Sequence, residues 1–337
     1  MLLEDFNYHL PEELIAQEPI PERDQSRLLV LHKESGVIEH RHFFEILEYL
    51  EEGDLLVFND TRVMPARLEG FKETGGHVEL LLTAKISPGV WTGMVKPGRR
   101  VAVGTKLIFQ DGLTAEILSR TPEGGRIIQF FSESDPDEEV AKQGIVPLPP
   151  YIHKTLEDPE RYQTVYASNE GSAAAPTAGL HFTDKLLDAL RAKGVATAFV
   201  TLHVGIATFR PVRTANIEDH EMHSEWFSIG PECVEAVKSC KGRVIAVGTT
   251  SVRALESGAI GHRLLRFVQE ETKMFITPGY NFQVIDCLIT NFHIPKSTLL
   301  VMVSALAGGV DRMQLAYNEA LKEQYRFLSL GDAMFIC

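Results

Sequence analysis

The sequence predicts an α/β protein with a small antiparallel β-barrel inserted into it. Three observations carry this. Helix and strand signals alternate in the flanking parts of the chain. A cluster of short strand signals, separated by glycine-containing turns, fills the stretch between them. Reactive polar residues gather in short blocks, several directly behind an apolar run that reads as a strand. In an open α/β sheet, ligands bind outside the carboxyl ends of the strands. The 337 residues are long for one domain and comfortable for two.

The elements follow in order. Phe43, Phe44, Ile46, Leu47 and Leu50 form a helical stripe over 43–52, which Gly53 stops. Residues 54–58 read as a buried strand ending at Asn59-Asp60. Strand signals then crowd at 77–83, 90–95, 101–109, 113–119 and 126–131, without helices between them. Turns containing Gly75-Gly76, Pro88-Gly89, Pro97-Gly98, Asp111-Gly112 and Gly124-Gly125 separate them, the pattern of a small barrel or sandwich. Pro147, Pro149 and Pro150 mark the exit, because prolines break regular elements. The reading is a discontinuous α/β catalytic domain over 1–67 and 147–337, with the barrel over 68–146.

Alternation then resumes. A helix is predicted over 183–193, with Thr183 as N-cap, Leu186, Leu187 and Leu190 on one face, and Gly194 as stop. Strands are predicted at 195–203, 244–247 and 284–290. Helices are predicted at 231–241, where Pro231 opens the first turn, and at 250–257, 297–307 and 310–324.

Composition narrows the class. The chain is 44% hydrophobic and 23% charged, as soluble globular proteins are. No apolar run approaches the roughly 18–20 residues that span a bilayer. The first residues, Met1-Leu2-Leu3-Glu4-Asp5, lack a basic stretch ahead of an apolar one, so no signal peptide is expected. Cys233, Cys240, Cys287 and Cys337 lie far apart, without a CxxC pair, and read as reduced thiols of a cytoplasmic protein. A net charge of −13 argues against a protein that coats nucleic acid, but local basic clusters can still dock phosphates. Lys96 with Arg99 and Arg100, Arg210 with Arg213, and Arg263 with Arg266 are such clusters, or else solvated faces.

Each polar block has a functional and a structural reading. Asn59, Asp60, Arg62 and Arg67 can hold a ligand hydroxyl, phosphate or carboxylate, or can form an Asx-turn out of the strand. Thr177 and Gly179 lie among small residues that let the backbone approach a ligand, and His181 beside them is a general acid or base or a capping residue. His203 and Gly205 close a strand as a ligand-facing turn or a hydrogen-bonded core histidine, with Arg210 beyond. His220, His223 and Glu225 are spaced by three and two, so the zinc-protease spacing is absent and no metal is expected; they make polar contacts to substrate or lie in a solvated turn. Thr249, Thr250, Ser251 and Arg253 form a hydroxyl-rich strand-to-helix turn suited to ribose or phosphate, or to capping. Asn291 and His293 occupy a similar turn. Neither a Walker loop nor GxGxxG is present. From the residues alone, the chain reads as a two-domain α/β enzyme for a nucleotide-like ligand.

Taken together the blocks resemble the S-adenosylmethionine:tRNA ribosyltransferase-isomerase family of queuosine biosynthesis. The resemblance runs nearly end to end. It includes Leu10-Pro11-Glu12-Glu13-Leu14, Ser26-Arg27-Leu28, Val57-Phe58-Asn59-Asp60-Thr61-Arg62-Val63 and Pro147-Leu148-Pro149-Pro150-Tyr151-Ile152. It continues through residues 161–167 and 175–183, Met222-His223-Ser224-Glu225, residues 248–253 and 290–295, and Gly331-Asp332-Ala333-Met334. Two departures stand out: Ala207 where the family usually has glycine, and Leu330 where an aromatic is more usual nearby.

The resemblance implies a large α/β domain with an inserted barrel. It also implies transfer and isomerisation of the ribosyl part of S-adenosylmethionine onto 7-aminomethyl-7-deazaguanine in a tRNA anticodon. Epoxyqueuosine-tRNA, adenine and methionine would be the products. S-adenosylmethionine is then a consumed co-substrate, and no cofactor is expected. His181, His203 and His223 would include the acid and base. Thr249, Thr250, Ser251 and Asn291 would hold ribose or adenine, and Asp60, Arg62 and Arg67 the nucleobase or anticodon. A monomer is expected. An S-adenosylmethionine-dependent RNA methyltransferase is the alternative, although the glycine-rich loop common in methyltransferases is absent. A non-catalytic RNA-binding module fits poorly with a barrel so poor in aromatics.

Overall fold

The computed structural model describes residues 1–122, 124–205, 212 and 214–337. It divides into two compact units: residues 1–61, 149–169 and 175–337, and residues 62–148 with 170–174.

The larger unit is built on a nine-stranded sheet. Its strands are β1 (Arg27–Leu31), β2 (Ile38–His42), β3 (Leu55–Asn59), β4 (Ala196–Leu202), β5 (Glu225–Ile229), β6 (Val244–Val247), β7 (Val268–Thr272), β8 (Cys287–Asn291) and β9 (Ala333–Ile336). They lie in the order β7-β5-β4-β3-β6-β8-β9-β1-β2. The central four, β4, β3, β6 and β8, are parallel to one another. β9 runs antiparallel to β8 and parallel to β1.

Period-two alternation puts Leu56, Phe58, Ile245, Val247, Ile289 and Phe335 into one core cluster. There they meet Leu186, Leu187 and Leu190 of helix α1 (Asp184–Ala192). The intervening Leu55, Val57, Val244, Ala246 and Leu288 are equally buried on the other face. Burial on both faces explains why these strands read as unbroken apolar runs. Thr183 caps α1, its hydroxyl accepting from the Leu186 amide at 3.1 Å. Helices α2 (Pro231–Ser239), α3 (Thr249–Ser257), α4 (Thr298–Ala307) and α5 (Val310–Lys322) complete the unit. α4 and α5 meet at 107° across Gly308 and Gly309, whose φ of 93° and 125° suits glycine. No single helix among the described residues is long and apolar enough to cross a membrane.

Several elements differ from the sequence reading. The 43–52 stripe folds as a 3-10 turn (Phe43–Glu45) followed by one α turn (Ile46–Tyr49), after which Leu50 is extended. Phe43, Ile46 and Leu50 are nonetheless fully buried, so the stripe reports the buried face and not the helix length. β1, β2, β5, β7 and β9 were not anticipated. The expected 284–290 strand begins at Cys287 instead. Before it, the chain is held by Glu256 of α3, whose carboxylate accepts from the amides of Gln283, Val284 and Ile285 at 2.8, 3.0 and 3.1 Å. The Tyr280 hydroxyl donates to the same group at 3.1 Å.

The smaller unit is a closed six-stranded barrel. Its strands, Arg126–Phe131, Val90–Lys96, His77–Ser87, Arg67–Lys72, Lys106–Ile108 and Thr114–Arg120, neighbour one another in that order, all antiparallel. Leu68, Leu80, Leu107, Ile117, Ile128 and Phe130 alternate into its interior. A helix that was not anticipated, Pro136–Gln143, starts at the Asp135 cap and sends Val140 into the same core. Asp137 of this helix accepts from the Trp91 indole at 2.7 Å.

Removing the Glu256 carboxylate strands two buried amides and a part-buried third. Glu256→Ala is expected to lower unfolding free energy by about 3 kcal/mol or more, read from urea titrations. A loss below about 1 kcal/mol would show that these amides do not depend on the carboxylate.

Candidate active site

Among the parallel strands, β3 is followed by the adjacent β4 on one side, and β6 by the adjacent β8 on the other. The strand order therefore reverses between β3 and β6. Their carboxyl ends open the crevice where ligands bind in sheets of this kind. β3 ends in Asn59, and β6 runs into Gly248, whose φ of 88° requires glycine.

Asn59 is fully buried and ties β3 to β4. Its Nδ2 donates to the Leu202 carbonyl at 3.0 Å, and its Oδ1 accepts from the Leu202 and Thr61 amides at 3.0 and 3.2 Å. That fixes the Thr61 hydroxyl, which donates to the Asn169 carbonyl at 3.3 Å and lies 2.8 Å from His203 Nδ1. The 2.8 Å contact sets His203 Nδ1 against Thr61, and the tautomer with the proton on Nδ1 leaves the lone pair on Nε2. The imidazole stacks on Trp226 at 4.9 Å with 18° between the rings. Burial lowers the His203 pKa below its usual value, against an opposing pull from Asp60. Asp60 itself is held by Thr201 Oγ1 at 2.7 Å and Asn169 Nδ2 at 2.9 Å.

The turn after His203 is anchored by Glu225, which accepts from the Gly205 amide at 3.0 Å and forms a buried ion pair with Arg253 of α3. On α3, Ser251 donates back to the Val247 carbonyl at 2.7 Å. Thr249 is buried beside it. The Thr250 hydroxyl is buried with no hydrogen-bond partner, an orphan that a ligand polar group at this crevice can satisfy.

A second cluster sits at the end of β8. Asn291 Oδ1 accepts from Thr177 Oγ1 at 2.8 Å, and its Nδ2 faces His181 Nε2 at 3.2 Å. His181 Nδ1 lies 2.7 Å from Ser26 Oγ. Both ring nitrogens are thus engaged by protein, and the ring stacks on Phe43. Burial, reinforced by the charges of Arg23 and Arg326, pushes the His181 pKa down to about 3. The antiparallel β9 brings buried Asp332 to the same end, where it accepts from the amides of Arg27 and Arg326 at 3.0 and 2.8 Å. Gly179 fits because a Cβ there would lie 2.0 Å from the Tyr166 hydroxyl.

The remaining candidates fall elsewhere. His293 turns inward, Nε2 against Thr290 Oγ1 at 2.9 Å, and burial pushes its pKa down to about 3. His223 is exposed ahead of β5. Arg62 and Arg67 belong to the barrel unit, where Arg67 pairs with Glu79. Arg210 and Ala207 lie outside the described residues. Thr61 belongs to the polar block expected at the end of β3, whereas Ser26, Trp226 and Asp332 were not singled out from sequence, although Ser26 and Asp332 fall inside segments that carry the family resemblance.

The two most deeply buried histidines set an acid limit on stability. Folded, His181 and His293 resist protonation until about pH 3. Unfolded, they titrate near pH 6.5. The stability they contribute is complete above pH 6.5 and is lost as the pH falls below it, because the unfolded chain then binds the protons. A decline of about 1 kcal/mol per histidine between pH 6.5 and 5.5 is expected in urea unfolding. A flat profile there would contradict their burial in the neutral form.

Comparison with known proteins identifies the family. A family model described as queuosine biosynthesis protein matches residues 3–336. Proteins named S-adenosylmethionine:tRNA ribosyltransferase-isomerase are 53% identical in Halothermothrix orenii and in Acetivibrio thermocellus, and 52% in Staphylococcus haemolyticus, each alignment covering 100% of both chains. The crystal structure of S-adenosylmethionine tRNA ribosyltransferase from Thermotoga maritima is 39% identical with a TM-score of 0.56, over 99% of this chain and 100% of that one. The chain belongs to the queuosine biosynthesis protein family, and with it to the transferase-isomerase enzymes.

Proposed function

We propose that the protein transfers and isomerises the ribosyl part of S-adenosylmethionine onto 7-aminomethyl-7-deazaguanine in a tRNA anticodon, giving epoxyqueuosine-tRNA, adenine and methionine. The full-length family match supports the reaction class. The observation that carries the chemistry is His203, a neutral imidazole whose Nδ1 is held by Thr61, leaving Nε2 free to take a proton.

A sulfonium acidifies the hydrogens on the adjacent 5′ carbon, and His203 Nε2 removes one of them. The neutral amine bonds to C1′ and gives up a proton as adenine leaves with one; the C5′ electron pair closes a C1′–C5′ bond as the C1′–O bond breaks, and the freed oxygen on C4′ displaces the methionine thioether from C5′ to form the epoxide. One sulfonium and one amine thus yield the modified amine, the two leaving products and a net proton. Thr250 offers its unpartnered hydroxyl to the ribose or adenine, beside Thr249 and Ser251. Asn291 and Thr177 hold His181 as a positioning group, because both of its ring nitrogens are already engaged. Glu225, through Gly205 and Arg253, fixes the turn that carries His203. In this reading His223 and His293 stand outside the proton transfers.

Incubation with S-adenosylmethionine and tRNA bearing the aminomethyl base is expected to release adenine and methionine, followed by chromatography and by mass spectrometry of the nucleoside. S-adenosylhomocysteine and a methylated nucleoside would replace this reading with a methyltransferase. His203→Gln is expected to lower kcat by about 10²–10⁴-fold while S-adenosylmethionine still binds. In the wild type, kcat/KM should fall as pH drops through a midpoint below 6.5, since protonation removes the base, and the variant should lack this limb. Full turnover by the variant would remove His203 from the chemistry.

A further inference from the structure

A small cleft opens beside His181 and Ser26, walled by Arg23, Arg161, Leu180 and Leu330. Arg23 donates to the carbonyls of Leu180 and Glu160 at 3.1 and 3.0 Å. Arg161 donates to those of Pro21 and Ile20 at 3.0 and 2.6 Å. Main-chain carbonyls orient both guanidinium groups, and the charges of Asp158 and Glu160 act on Arg23. Two cations are thereby held beside each other. Burial and then the charge of Arg161 both act to lower the Arg23 pKa, although a guanidinium remains charged at any physiological pH.

One buried polar group here is left unsatisfied: Arg161 Nε has no hydrogen-bond partner. Such groups are rare in native proteins and call for a ligand or water. A pair of fixed guanidiniums with a free Nε suits a planar oxyanion, and the apolar walls suit a short alkyl chain behind it.

We infer that this cleft receives the α-carboxylate of S-adenosylmethionine, with Arg23 and Arg161 as its binding residues. The inference rests on the functional reading above. It adds an anchor for the amino-acid end of the substrate, beside the strand-end cluster at Ser26 and His181. A tRNA phosphate is the other source of such an oxyanion, and the test separates the two.

Calorimetric titrations would compare S-adenosylmethionine with its decarboxylated analogue, in the presence of tRNA lacking the aminomethyl base so that no turnover occurs. The wild type is expected to bind the analogue at least about tenfold more weakly. Arg161→Gln should weaken S-adenosylmethionine binding by a similar factor and leave the analogue unaffected. Equal affinity of the wild type for both ligands would overturn the assignment, and that arm needs no variant to fold. Equal weakening of both ligands by Arg161→Gln would make the arginine a purely structural group. Unchanged S-adenosylmethionine binding with a shallower salt dependence of tRNA binding would assign the cleft to phosphate instead. Failure of the wild type to bind S-adenosylmethionine at all would strike the functional reading first, and this assignment with it.

Discussion

Burying a parallel sheet on both faces leaves its polar residues only one place to go. Inside β3, β6 and β8 every side chain lies in the core, and an unpaired polar group there would cost several kcal/mol. Polar chemistry is therefore pushed to the strand ends, where Asn59, Gly248 and Asn291 stand in a row across adjacent strands. Each polar group at these ends must itself be satisfied, and the way it is satisfied decides what it can do.

The two central histidines differ for that reason. His181 is caught between Ser26 and Asn291, so neither nitrogen is left for a substrate proton. His203 spends one nitrogen on Thr61 and keeps the other. Both are held neutral by burial, His181 far more strongly than His203. A base that operates near neutrality needs a pKa not far below the working pH. In the proposed reaction the less buried ring meets that need, while the more buried ring is a fixed strut between β8 and the loop at Ser26.

Much of this layout was legible in the sequence. Apolar runs that end in Asn-Asp-Thr, Gly-Thr-Thr or Asn-Phe-His marked the ends of β3, β6 and β8, because a doubly buried strand has no other reason to change character so abruptly. Glycine-bearing turns marked the barrel. The edges of the sheet were not legible. β2, β5 and β7 mix charged with apolar residues in five-residue runs, and β9 is a four-residue apolar tail. Short half-exposed strands carry little periodic signal. The antiparallel return of β9 against β8, which brings Asp332 to the site, is a long-range pairing that no local pattern encodes. Ser26 arrives in the same way, through β1 alongside β9. His203 and His181 carry similar surroundings in sequence, and only the partner of each ring nitrogen separates them.

The ion pair between Glu225 and Arg253 illustrates how such a site is held. Two charges this deeply buried gain little net stability, since the loss of hydration offsets most of their attraction. Their value is geometric. Glu225 sits at the start of β5, Arg253 in the middle of α3, and Gly205 in the turn leaving β4, so one carboxylate joins three elements. Its neighbour along β5, Trp226, stacks on the His203 ring. The imidazole is thus set from one side by Thr61 and from the other by a strand whose own register is pinned by a charge. Orientation of this kind costs its entropy during folding and not during a reaction, which is what the proposed role of His203 as a base requires.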